Sequence, residues 1–205
     1  MRYNKFLIFA LMVAVALSFA CGGGGEKEQQ ADEGYSVPGM DIQVKHYPPI
    51  RVAYEEYMGP YEESGDEWEA FAMWAMQNVP QAATPLFIGI YYDDPEMTPP
   101  ESCRAEMAVM VPEDYTGDKE HPVKEIPEMT AASVRLVGPF EEIVEQYDDV
   151  YGWVVQHNYR PVGPMYEHMI KFGPEIPDSE YVTEIRIPVE EIGGEEGGHA
   201  EGSGH

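Results

Sequence analysis

The chain has 205 residues, with 12 Lys and Arg against 38 Asp and Glu and a formal charge of −26. Charge of that sign repels the phosphates of nucleic acid and anionic lipid headgroups, so a nucleic-acid partner is excluded and a well-solvated exterior is the simplest reading. At this length there is room for one ordinary domain or two small modules that share a sheet.

Taken in chain order, MRYNK carries two positive charges and is followed by the apolar run FLIFALMVAVAL and by SFAC. That is the layout of a secretory signal over residues 1–20, because the apolar stretch falls short of the roughly 20 residues a membrane-spanning helix needs. LSFAC resembles the bacterial lipobox, in which the cysteine becomes the lipidated first residue, although Ser18 stands where that motif usually has Leu. The expectation is a chain tied to the cell envelope through lipidated Cys21, or secreted if Cys21 stays unmodified. Removing residues 1–20 takes away Arg2 and Lys5, leaving 10 basic residues against 38 acidic ones and a formal charge of −28. Residues 21–36, GGGG and then a polar run, read as a flexible tether, and 193–205 as a disordered Gly/Glu tail in which two histidines do not make a metal site. With Cys21 lipidated, Cys103 has no partner, so the fold over 37–192 must rest on an apolar core, and Cys103 reads as a packed thiol.

Between the ends the sequence repeats itself. At an offset of 79, VKHYPPIRVA falls on VKEIPEMTAA, GPYEE on GPFEE, and Trp74 and Gln77 on Trp153 and Gln156. Deleting one residue from a later loop then lays AEMAVMV on TEIRIPV, so that Glu106 meets Glu184. A duplicated module explains this, with repeat one over 44–111, a polar connection over 112–122 and repeat two over 123–189. Each copy opens with a strand (IRVAYEEYM; TAASVRLV) that reaches a Gly-Pro stop. A helix follows, its stripe clearest at Ile143, Tyr147, Val150, Tyr151 and Val154. Two more strands complete each copy. The predicted class is α+β: two β-α-β-β modules related by a pseudo-twofold, forming an antiparallel sheet with helices on one face and a ligand cleft on the other.

Alternation places Ile185, Ile187 and Val189 on one face of TEIRIPV and Glu184 and Arg186 on the other. The aliphatic face belongs under the helices, so Glu184 and Glu106 are expected on the opposite one. Either they are solvated or ion-paired, or they sit in an aromatic-lined groove supplied by Tyr91 and Tyr92 and by Tyr166, His168 and Phe172. Tyr166 and His168 share a face, but periodicity alone does not say which.

The blocks VKEIPEMTAASVRLVGPFEE, YGWVVQHNYRPVGPMYEHMIKFGP and EYVTEIRIPVEE resemble the GyrI-like family, the effector-binding domain found on some AraC- and MerR-type regulators, over about residues 42–190. The resemblance implies a fold shared with SOUL haem-binding proteins and a cleft between modules for bulky, apolar, often cationic molecules. It places Glu184 at the floor and implies ligand contacts from Trp153, Tyr166 and His168, with Glu106 as a departure from the pattern; Tyr91 joins them as a candidate from the aromatic groove. No helix-turn-helix segment is present, and an export signal does not fit a cytoplasmic gyrase inhibitor. The expected function is therefore binding of a hydrophobic or cationic small molecule, with no cofactor. The alternatives are a hydrolase in which Glu184, with Glu106, activates water, and haem binding through His168.

Overall fold

The computed structural model describes residues 40–80 and 86–193. The proposed signal and tether, Cys21 among them, and the tail beyond Gly193 lie outside these residues. The first copy runs β1 (Gln43–Tyr47), β2 (Ile50–Met58), a 3-10 turn at Tyr61–Glu63, α1 (Gly65–Asn78), β3 (Phe87–Tyr91) and β4 (Arg104–Met110). The second runs β5 (Val123–Ile126), β6 (Met129–Val137), α2 (Phe140–Val144), α3 (Tyr147–Gln156), β7 (Tyr159–Pro161), β8 (Met165–Lys171) and β9 (Val182–Glu191). The strands pair antiparallel in the order β1-β6-β9-β8-β3-β4-β2-β5, with β7 added on β9. Exchanging the two copies reverses this order onto itself, which puts a pseudo-twofold between β3 and β8. The first strand of each copy crosses over: β1 pairs with β6, and β5 with β2. Each module thereby supplies the edge of the other.

Helices α1 and α3 cover one face, as the pattern predicts. α1 buries Trp68, Phe71, Ala72 and Ala75 against Ala53, Met107 and Val109. α3 buries Val150, Trp153 and Val154 against Val134, Ile185, Ile187 and Val189. The strand-to-helix corner depends on the Gly-Pro pair. Gly138 adopts φ 138°, which disfavours a residue with a Cβ, and Pro139 then sets the chain for the first helical turn. The single helix expected through residues 143 to 154 is broken. The Gln146 N–H bonds the Ile143 carbonyl three residues back, and the helix restarts at Tyr147. The first copy has the same break in shorter form, as the 3-10 turn before α1.

The faces also correct the internal alignment. An offset of 79 holds for β2 on β6 and α1 on α3, where Ala53 matches Ala132, Trp68 matches Tyr147 and Phe71 matches Val150, each pair packed on the helix side. On β3 the helix side carries Phe87 and Tyr91, and on β8 it carries Met165 and Met169, whereas Ile88, Ile90 and Tyr166 pack on the opposite face. A one-residue slip exchanges the two faces of a strand, so the offset must fall to 78 before β3 rather than in the loop after it. Tyr166 and His168 therefore correspond to Ile88 and Ile90, and Glu167 corresponds to Gly89.

Candidate functional site

The structure divides the residues singled out from the sequence between two surfaces. Glu106, Tyr166, His168 and Glu184 lie on the face away from the helices, whereas Tyr91 and Trp153 lie under them. Trp153 is 2% exposed, stacks on His157 at 4.0 Å between centroids, and keeps its Nε1 inside the core of the second module.

On the open face each acid is already neutralised. Glu184 accepts from Arg135 Nε at 2.7 Å and from Arg186 Nε at 2.7 Å. Burial alone would raise its pKa, but the two guanidiniums outweigh burial and hold the carboxyl below its ordinary range. The Arg186 guanidinium also lies 3.8 Å over the Tyr47 ring. Glu106 is paired with Lys124, whose ammonium lies 4.4 Å over the Tyr54 ring. Register runs Glu106–Ile90–Tyr166–Arg186 across β4, β3, β8 and β9, and Glu184 sits two residues from Arg186 on the same strand. Three strand spacings separate the two acids, roughly 14 Å, so they do not act together on one water.

His168 is 1% exposed, and burial together with nearby Arg186 pushes its pKa down to about 3, so the ring is neutral. It presents no open side to a macrocycle, and the geometry gives the haem reading no support. Glu184 reads as the centre of a buried ion cluster. Glu184→Gln leaves two arginines competing for one carbonyl, and urea unfolding should show a loss of about 3 kcal/mol. Affinity for an organic cation should stay within about twofold of the wild-type value, which titration checks.

The helix side holds an acid that the sequence reading did not single out. Glu167 sits at the middle of β8, between Gly89 of β3 and Ile185 of β9, and is 4% exposed. The Tyr91 hydroxyl donates to its Oε2 at 3.1 Å, and the Tyr147 hydroxyl donates to its Oε1. Burial drives the carboxyl pKa up to about 7, against the pull of the Tyr91 hydrogen bond. Tyr91 reaches this position because Gly89 leaves room. A Cβ at Gly89 would come within 2.7 Å of the Tyr91 ring, so a side chain there would lift the ring away.

Further aromatic side chains surround the pair. The Trp68 side chain bonds Tyr91, and Tyr61 meets the Tyr91 ring edge-on at 5.1 Å while donating to the Arg104 carbonyl at 2.7 Å. Tyr61, Tyr91, Tyr147 and Tyr151 are all half-buried, so Glu167 lies one side chain below the surface. Trp68 and Tyr147 are equivalent positions of the two copies, and β3 and β8 flank the pseudo-twofold. The acid is thus at the junction, with groups from both modules over it. A signal for it was present in PMYEHMIKF: Glu167 lies two residues from both Met165 and Met169, which places it on an otherwise apolar face.

Two β-α-β-β modules joined side by side make a duplicated α+β domain, and the acid buried beneath tyrosines lies at their junction. Residues 40–190 match the GyrI-like small molecule binding domain, and the chain belongs to that family. The SPbeta prophage-derived protein YosT of Bacillus subtilis (strain 168) is 25% identical over 154 residues, 74% of this chain and 100% of that protein. The crystal structure of the EcmrR C-terminal domain superposes with a TM-score of 0.64 at 19% identity, covering 75% of this chain and 99% of that one. The structure of SAV2435 bound to tetraphenylphosphonium does so with a TM-score of 0.51 at 16% identity, covering 74% and 94%. These two structural likenesses are of fold.

Proposed function

We propose that the protein is a lipid-tethered receptor of the cell envelope that holds a bulky organic cation between its two modules, with Glu167 as the counter-charge. The observation that carries this reading is a carboxylate with no basic partner among the described residues, buried under tyrosines where both modules meet. Aromatic faces supply contact area and cation-π attraction, and the desolvated acid supplies charge complementarity. Glu184, the floor residue implied by the resemblance, has its charge spent on two arginines and supports this role less well. The tether rests on the basic start, apolar run and LSFAC of the first 21 residues.

Tetraphenylphosphonium, the cation bound by SAV2435, is a suitable probe. Titration should quench tryptophan fluorescence through Trp68 and saturate, and quenching that rises without saturation would remove the receptor reading. In a bacterial host, an alkyne fatty acid should label the wild-type protein and not Cys21→Ser, and absence of label from both would remove the tether. One observation favours a second reading, hydrolysis of an activated small molecule: a carboxyl near pH 7 is suited to take a proton from water at neutral pH. Turnover of an ester panel that disappears in Glu167→Gln would establish it.

A further inference from the structure

The open face carries a concavity toward the β1 edge, on the other side of the sheet from Glu167. It is a cavity of about 340 Å³ whose lining includes Asp41, Gln43, Lys45, Ser133, Arg135 and Glu184. In a chain of charge −26 this is a place where cationic groups predominate: Lys45, Arg135 and adjoining Arg186 stand against Asp41 and Glu184.

Their remaining hydrogen-bond capacity is unevenly divided. Both Glu184 oxygens are taken by guanidiniums. Arg135 reaches Glu184 with Nε while its side chain is 66% exposed, so its outer N–H groups face out. Lys45 is exposed and makes no ion pair among the described residues. The surplus donors are therefore cationic, and their natural complement is an oxyanion. The neighbouring polar groups ask for something else. Gln43 Nε2 donates to Asp41 Oδ2 at 3.0 Å and holds that carboxylate in place. Asp41 is exposed, and its remaining lone pairs can accept from a ligand hydroxyl.

The geometry points to a binding site for a small hydroxylated carboxylate of monosaccharide size, the class of the sugar acids. Its carboxylate is held by Lys45 and Arg135, and its hydroxyls donate to the Asp41 carboxylate. Arg186 on the Tyr47 ring and the Tyr47 hydroxyl on Ser133 Oγ at 2.7 Å brace the floor. This site is on the opposite face of the sheet from Glu167 and does not depend on the cation reading.

The test is an NMR titration of the full chain with D-glucuronate, following the backbone amides of Gln43, Ser133 and Arg135, with D-glucose and acetate run in parallel. Saturable shifts with glucuronate alone are expected, with affinity weakened about tenfold in Lys45→Gln, the size of one charge-assisted hydrogen bond. The same variant should bind tetraphenylphosphonium as the wild type does. Linear, unsaturable shifts overturn the site, as does a glucuronate affinity unchanged in Lys45→Gln. Saturation by acetate with equal affinity overturns the hydroxyl contacts, and saturation by glucose the carboxylate ones.

Discussion

Glu167→Gln should make the protein more stable at pH 8 and poorer at holding a cation, two effects that a purely structural residue would not combine. Burial raises the folded pKa of Glu167 from 4.5 to about 7. For an acid whose folded pKa is raised, the contribution to stability is fully present below the unfolded value of 4.5 and is lost as pH rises through about 7. At pH 8 the folded protein therefore carries a penalty on the order of 3 kcal/mol for an ionised carboxylate in that place. Glutamine has the same shape, and its carbonyl accepts from one tyrosine while its amide donates to the oxygen of the other. Urea unfolding at pH 8 should show a gain of about 2 kcal/mol over the wild type, shrinking toward zero at pH 4. Removing the counter-charge should lower tetraphenylphosphonium affinity by about a hundredfold. A variant that is less stable at pH 8 and binds equally well would falsify both the strain at Glu167 and its role.

The fold was legible because the signals that set it are local and repeated. Gly-Pro pairs, the helical stripe at Val150 and Val154 and the alternation of Ile185, Ile187 and Val189 fix element type and covered face without reference to distant residues. The same alternation put Glu106 and Glu184 on the open face. It could not say what else stands there, since Arg135 reaches Glu184 from a neighbouring strand 49 positions away, and Lys124 reaches Glu106 from β5. Partners of that kind are set by register, which sequence periodicity leaves open. Glu167 stands between Tyr166 and His168, and because periodicity leaves the face of β8 open, nothing in that strand alone says that the acid rather than the two rings turns toward the helices. The glycine opposite was an unused clue: a Gly in the middle of FIGIY marks a place where another group comes close, here the Tyr91 ring.

Cation affinity should depend on pH through Glu167 with little contribution from its neighbours. The groups that face it are the Tyr91 hydroxyl from β3 and the Tyr147 hydroxyl from α3, with Tyr61 and Trp68 behind Tyr91. Burial and the adjoining carboxylate hold Tyr91 well above its usual range, and burial pushes Tyr61 up to about 12, so both stay protonated donors between pH 5 and 9. Below about pH 7 the carboxyl is neutral and the counter-charge is gone. Tetraphenylphosphonium affinity should be flat above pH 8 and fall by about tenfold per pH unit below 7, while Glu167→Gln gives a low, level profile. A bound cation favours the ionised carboxyl, so binding at pH 6 must expel close to one proton. Calorimetry in two buffers of different ionisation enthalpy measures that number directly, and it should vanish by pH 9. The Glu184 cluster does not titrate away across this range: the stability that Glu184 draws from Arg135 and Arg186 is present above 4.5 and is lost only as pH falls through its depressed folded pKa. Affinity that holds level from pH 5 to 9 with no proton released would mean that the ligand does not meet the Glu167 charge.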